Sequence, residues 1–259
     1  MSTLSFNAKA ADDLAKAYAT PDMIAQREAV LNLLDLKPGM RVIDIGCGPG
    51  FLCESMAYEV GSDGHVLGID ISDDLITMCR ARTPPAHLSY AREDALALGA
   101  ADQSFDIAAC TQVAEYIPDT STVLSEMARV LRPGGRALIM ATDWDNVACY
   151  TEEPERMQRV MQAWEGHCAH PRLPRTLATK LRAHGFSDVT AHMHPLINLN
   201  FARDTYSYNV LKLVRSYVAK AGILQAEAEE WFNELTRLDE AGQYYFASAR
   251  MIFTATRAA

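Results

Sequence analysis

The stretch Val42-Ile43-Asp44-Ile45-Gly46-Cys47-Gly48-Pro49-Gly50 constrains this chain more than any other. Its first four residues make a short apolar run of the kind that forms a buried strand, and an acid sits inside that run. Glycines then alternate through a tight turn, where positive φ and close approach of a ligand to the backbone are tolerated. A helical pattern at 51–58 follows directly, so the turn aims unpaired backbone N–H groups at whatever binds there. Strand, glycine turn and helix commit the chain to an α/β architecture with a binding mouth at a strand end.

The rest of the chain repeats that alternation. Residues 8–35 predict two helices broken at Thr20-Pro21, the second with Ile24, Val30, Leu31 and Leu34 on its apolar face. Strand two is expected at 65–70, a helix capped by Ser72 at 72–81, strand three at 88–91 and strand four at 105–110. A helix at 120–131 leads through the turn Pro133-Gly134-Gly135 into strand five, 136–141. The regular alternation implies a parallel sheet with helices on both faces. After Thr142 the rhythm changes. A helix with the stripe Met157, Val160, Met161, Trp164 and Cys168, a second at 175–184, strand six at 189–199, helices at 204–221 and 226–239, and a last strand at 244–256 are predicted. The whole reads as one domain, 1–259, with N-terminal helices at 1–36, a binding core at 37–143 and helical lids inserted at 144–174 and 201–242.

Composition excludes several function classes. A formal net charge of -9 argues against a protein that grips nucleic acid by neutralising phosphates. Cys47, Cys53, Cys79, Cys110, Cys149 and Cys168 show no CxxC pairing, so a reducing, cytoplasmic setting is expected rather than a disulfide framework. Residues 1–18 lack a basic start and apolar core, and no run approaches the roughly 20 apolar residues of a membrane helix. No membrane partner is expected, and monomer and homodimer both stay open.

Three cofactors compete for the glycine turn. A P-loop needs a lysine after its last glycine, and Phe51 stands there instead. A dinucleotide fingerprint counted from Gly46 and Gly48 needs a third glycine at the position of Phe51. Asp44 would also face a pyrophosphate with like charge. S-adenosylmethionine carries an ammonium and a sulfonium and no phosphate, so an acid beside the turn becomes favourable. Asp70, ending strand two, suits two ribose hydroxyls, as it would those of NAD, and Asp94 after strand three suits an adenine amino group.

These residues carry a resemblance. From about Tyr18 to Thr142 the chain resembles class I S-adenosylmethionine-dependent methyltransferases, in the subgroup of ubiquinone and menaquinone biosynthesis methyltransferases (methyltransferase domain type 11). Asp44 to Gly50 matches the first motif, Gly68-Ile69-Asp70-Ile71-Ser72 the ribose motif, Asp94-Ala95 the adenine motif and Arg129 to Gly135 the turn before strand five. The resemblance implies a Rossmann-like seven-stranded, mostly parallel sheet whose last strand is antiparallel. It implies cofactor contacts from Asp44, Gly46, Cys47, Gly48, Gly50, Asp70, Ile71 (packed on adenine), Asp94 and Ala95, and from Thr111 and Gln112 at the end of strand four. Tyr18 and Arg27 match the aromatic and arginine that similar enzymes place near the methionine moiety. The chain departs from the subgroup at Tyr116, where a histidine is usual, and at Leu96-Ala97, where Leu-Pro is usual.

With that donor the methyl is already activated, and the protein aligns an acceptor and removes a proton where one is present. Position at strand ends nominates Gln112 and Tyr116, then Asp143 and Trp144, for the acceptor side. Tyr116, Asp143 and His194 are the catalytic candidates; Tyr116, Trp144, Tyr206 and Tyr208 are the candidates for an aromatic acceptor pocket. His167-Cys168-Ala169-His170 is too short and isolated for a structural zinc site, so no metal is expected. The expected activity is methyl transfer to oxygen or nitrogen, with carbon a further option, of a small organic molecule, as in secondary metabolism. Two alternatives stand beside it: an arsenite methyltransferase using Cys53 and Cys168, since those enzymes resemble this core and bind As(III) through thiolates, and a cofactor-binding scaffold without turnover.

Overall fold

The structure, a computed structural model, describes residues 8–259, with side chains from residue 11 onward. The first seven residues of the expected helical segment 1–36, and that part of the leader reading for 1–18, lie outside the described residues. Helices α1 (Ala8–Tyr18) and α2 (Pro21–Leu34) precede β1 (Arg41–Ile45). Then come α3 (Phe51–Val60), β2 (His65–Asp70), α4 (Asp73–Ala81), β3 (Leu88–Arg92), β4 (Phe105–Thr111), α5 (Thr120–Val130) and β5 (Leu131–Thr142), in the anticipated alternation. The second half comprises β6 (Ala148–Cys149), α6 (Pro154–Trp164), α7 (Pro174–Ala183), β7 (Phe186–Asn198), α8 (Tyr206–Val218), α9 (Gln225–Glu240) and β8 (Phe246–Arg257).

Local chemistry places these ends. Pro21 opens α2, where its missing N–H costs nothing. Ser72 accepts from Leu75 N to cap α4, Asp119 from Thr122 N to cap α5, and Thr205 from Tyr208 N to cap α8. The buried face of α2 is Met23, Gln26, Val30 and Leu34, and Ile24, expected inside, is 40% exposed. A polar Gln26 occupies that face because it meets the buried Arg250.

The strand order is β3-β2-β1-β4-β5-β8, parallel as far as β5, with β8 antiparallel to β5 and to β7 on its other edge. Among the described residues the sheet has eight strands where seven are expected, because Ala148–Cys149 continues beyond β5 along the same edge of β8. Two residues with no alternation leave nothing for sequence periodicity to detect. Strand five is also longer than 136–141: Leu131 already pairs with Phe105, and the Pro133-Gly134-Gly135 turn is a register shift inside the strand.

Three cores result. One face of the sheet is covered by α5 and α7 through Val123, Leu124, Met127, Leu177 and Leu181, and the opposite face by α2, α3 and α4 through Val30, Leu34, Met56, Val60 and Ile76. The third core joins α6, α8 and α9 around the fully buried Trp164 and Trp231. Of the stripe expected on α6, Val160 and Trp164 are fully buried, and Met157, Met161 and Cys168 pack at the edge.

Candidate functional site

The crossover from β1 and the crossover from β4 leave on opposite faces, so a crevice opens between their carboxyl ends, where ligands bind in sheets of this kind. A cavity of about 940 Å³ occupies it. Asp44, Gly46, Cys47 and Gly48 of the glycine turn form part of its wall, with Asp70 and Ile71 after β2, Asp94 and Ala95 after β3, and Thr111 and Gln112 at the end of β4. Tyr18 and Arg27 from the N-terminal helices and Tyr116 complete the predicted residues gathered there.

The turn owes its shape to glycine. Gly46 has φ +74, and a Cβ there would stand 2.2 Å from a Val113 methyl. Gly48 has φ +53, and its N–H donates to Asp70 Oδ2 at 3.0 Å, while Ser72 N–H donates to Asp70 Oδ1 at 2.9 Å. Asp70 thereby ties the turn to the end of β2 and keeps lone pairs for a ligand; burial raises its pKa. Gly50, expected at the ligand, turns away from the cavity: a Cβ on it would meet Tyr90 Oη and Cys79 Sγ, so its task is to start α3 in the left-handed conformation.

Asp44 is 1% exposed. One oxygen accepts from Cys53 Sγ at 3.2 Å and the other, Oδ1, has no partner. Burial lifts its pKa to about 7, with the charge of Asp70 adding to the rise and the Cys53 bond opposing it. An orphaned, buried carboxyl group on a ligand cavity is a site for a cation or a hydrogen-bond donor. Beside it Ile71 is 63% exposed, an apolar side chain left open at the cavity edge. Asp94 is held in its loop by accepting from Leu96 N–H at 2.9 Å. Arg27 lies over the Phe51 ring at 5.6 Å and donates to Tyr18 O at 3.4 Å. Tyr18 is half-buried, and its phenol is pushed up to about 12 by burial.

Gln112 adopts φ +57, a strained conformation for a residue with a side chain, which is stored where ligands bind. Its amide bonds Thr142 Oγ1 at 3.2 Å, and Thr142 also accepts from Arg250 Nη1. Arg250 Nε donates to Gln26 Oε1 at 2.9 Å, and its guanidinium covers the Tyr206 ring at 4.6 Å. A fully buried arginine therefore braces two cavity residues, Gln26 and Gln112, from behind. Glu115 is buried beneath them, with Oε1 accepting from Thr142 N–H at 3.4 Å, Oε2 unpartnered, and its pKa lifted to about 7 by burial.

Several predicted residues are not brought to the cavity. Asp143 bonds Arg175 Nε at 2.7 Å and caps the turn at Asp145 N, so its carboxylate is spent on structure. His194 sits on β7 in register with Arg250, outside the cavity wall, where burial and the Arg250 charge lower its pKa. Trp144 packs edge-on against Trp164 and His167. Tyr206 is under Arg250, and Tyr208 packs against Phe201 and Phe232. The wall takes Asn209, Lys212, Leu213 and Ser216 from the insertion 201–242 and nothing from 144–174. The first insertion acts at one remove: Tyr116 meets the His167 ring edge-on at 5.8 Å, and His167 stacks on Trp164 at 3.7 Å. Burial pushes the His167 pKa down to about 4.

The Cys53–Cys168 pair is not assembled. Cys53 belongs to the core under α3 with Cys47 and Cys79, and Cys168 lies at the edge of the α6–α8–α9 core. Sequence reasoning missed Gln26, Arg250, Glu115 and Lys212. Arg250 alone advertised itself, as a charge in the middle of the mostly apolar last strand.

Comparisons with known proteins give the chain's relatives. A 2-phytyl-1,4-naphtoquinone methyltransferase of Synechococcus elongatus is 43% identical over 108 residues, 40% of this chain and 46% of that protein. An arsenite methyltransferase of Halobacterium salinarum is 36% identical over 107 residues, 40% of this chain and 27% of that protein. The chain thus spans less than half the length of these relatives. Among solved structures, a phosphoethanolamine N-methyltransferase 2 of Haemonchus contortus in complex with S-adenosyl-L-methionine superposes with a TM-score of 0.65 at 19% identity, over 99% of this chain and 59% of that one. Residues 36–234 match the profile of the methyltransferase domain family. On that match, which covers most of its length, the chain belongs to the methyltransferase domain family.

Proposed function

We propose that the protein transfers a methyl group from S-adenosylmethionine to an oxygen or nitrogen of a small organic molecule. The observation that carries this reading is the orphaned, buried Asp44 carboxyl group at a glycine turn that is itself tied to the acid ending β2. Cation, ribose and adenine are each matched by a residue type at a successive strand end. In this reading Asp44, Cys47 and the Gly46–Gly48 backbone hold the methionyl end with Tyr18 and Arg27. Asp70 takes the ribose hydroxyls, Ile71 packs on the adenine, and Asp94 with Ala95 holds its amino edge. The bound donor supplies a methyl group already activated on a sulfonium.

The chain's own residues then position the acceptor. Tyr116 is a cavity phenol whose pKa burial raises well above its ordinary value, so at neutral pH it donates a hydrogen bond rather than accepting a proton. Gln112, held in its strained conformation by Met140 O and Thr142, offers a fixed amide at the same end. The described lining residues include no histidine, and Asp143 is locked to Arg175. That wall suits an acceptor that ionises or presents a lone pair unaided.

Calorimetric titration with S-adenosylhomocysteine tests the reading. Wild-type protein binds in the micromolar range, and Asp70→Ala weakens binding by about tenfold or more, the scale of losing charge-assisted hydrogen bonds. Binding of NAD with no response to the adenosyl ligand overturns it.

A further inference from the structure

Helix α8 carries two faces. Ser207, Leu211, Val214 and Val218 are buried in the third core, and Asn209, Lys212, Leu213 and Ser216, spaced three, four and seven apart on the opposite face, border the cavity. Two of these polar groups are already committed to nearby backbone carbonyls. Asn209 Nδ2 donates to Arg203 O and Thr205 O, and Ser216 Oγ donates to Lys212 O at 3.1 Å. The Lys212 ammonium makes no hydrogen bond or ion pair among the described residues. Its neighbour Leu213 is 44% exposed at the same wall. The α8 wall therefore offers a ligand one free ammonium beside an open leucine.

The rest of the cavity has the opposite polarity. Asp44, Asp70, Glu93 and Asp94 cluster at the strand ends assigned to the nucleoside. Asp13 and Asp119 also border the cavity, but Asp119 is spent on Thr122, whose N–H and Oγ1 it accepts, and Asp13 is likewise engaged. Arg27, the other cation among the described lining residues, lies over Phe51 and is already assigned to the methionyl end of the donor. An anionic group is repelled from the acidic end and, among the described lining residues, finds an uncommitted counter-charge on α8. With a net charge of -9 the protein attracts such a group only through this local field.

We infer that the methyl acceptor is an apolar small molecule bearing an anionic oxygen group, a carboxylate or a phosphate, which Lys212 of α8 holds while Leu213 covers its apolar body. This rests on the methyl-transfer reading above, because that reading decides which end of the cavity the acceptor occupies. Lys212 acts by placing the acceptor and takes no part in the chemistry.

The test uses protein saturated with S-adenosylhomocysteine and three probes sharing one aryl body: phenylacetate, phenyl phosphate and phenylacetamide, titrated by ligand-observed NMR. At least one anionic probe binds about tenfold tighter than the amide, as expected for one charge-assisted contact. The stronger of the two anions identifies the class. In Lys212→Met, which keeps the apolar stem, the advantage over the amide falls to about twofold or less, while S-adenosylhomocysteine affinity holds. Equal binding of all three probes, binding of none, or an advantage that survives Lys212→Met overturns the inference and leaves the donor assignment standing. Failure of wild-type protein to bind S-adenosylhomocysteine brings down the methyl-transfer reading itself.

Discussion

Asp44 carries a cost in the free protein. Its carboxyl group is buried, half-partnered and lifted to about 7, so folding favours the protonated form. The folded pKa stands above the unfolded one. Between about pH 4 and pH 7 the folded state therefore holds a proton that the unfolded state has released, and stability falls as pH rises through that window. Relative to Asp44→Asn, wild-type protein should lose on the order of a few kcal/mol across it, measured by denaturant unfolding at stepped pH. A pH-independent difference between the two proteins would show that Asp44 is ionised in the fold. A bound cation favours the carboxylate, so S-adenosylmethionine affinity should drop as pH falls below 7, and drop less in Asp44→Asn. Glu115, also lifted to about 7, contributes a similar decline that both proteins share.

At the scale of the element, the strand–turn–helix unit is specified by what its glycines must avoid. A Cβ on Gly46 meets Val113 at 2.2 Å on top of an unfavourable φ, whereas one on Gly48 meets nothing within 4 Å. Gly48→Ala should cost about 1–2 kcal/mol, the strain of the left-handed conformation. Gly46→Ala should cost more than twice that and displace Val113, which borders the ligand cavity, so cofactor affinity falls with stability. Chemical denaturation and S-adenosylhomocysteine titration of the two variants check the order; equal costs would mean that Val113 yields freely. The turn was legible in the sequence because glycine spacing is a local signal, but the turning of Gly50 away from the cavity was not. The cavity face of α8 was not, because an amphipathic pattern locates the buried side and says nothing of what the other side borders.

The whole molecule joins a two-faced sheet to a helical core that reaches the cavity through α8. Glu234 of α9 is central to that junction: fully buried, it accepts from Thr151 Oγ1, Glu152 N–H and Arg156 Nη2 at 2.6–2.7 Å and pins the start of α6 to α9. Glu234→Ala leaves Arg156, among the described residues, with only its 4.0 Å pair to Glu230 and should cost about 3 kcal/mol. Because α8 packs on the same core, acceptor-probe binding should weaken with it while Asp70 and the turn keep their bonds. Thermal unfolding alongside S-adenosylhomocysteine titration checks this; unchanged stability would make the Glu234 cluster incidental. The aromatic candidates Trp144, Tyr206 and Tyr208 belong to this same core rather than to the cavity, since large rings repay burial more than exposure.

By itself the sequence determined the parallel alternation, the glycine turn and the successive acids Asp44, Asp70 and Asp94, because strand period, turn chemistry and charge act over a few residues. Tertiary structure alone decided which long-range partners brace the cavity and the helical core. Arg250 reaches Gln26 across 224 positions of sequence and Thr142 across 108, and Glu234 reaches Thr151 across 83. Such partnerships depend on which helix faces meet after the sheet has closed, and no local pattern records them. The same closing of the sheet took Asp143 and His194 out of reach of the cavity, spending one on Arg175 and placing the other on the edge strand.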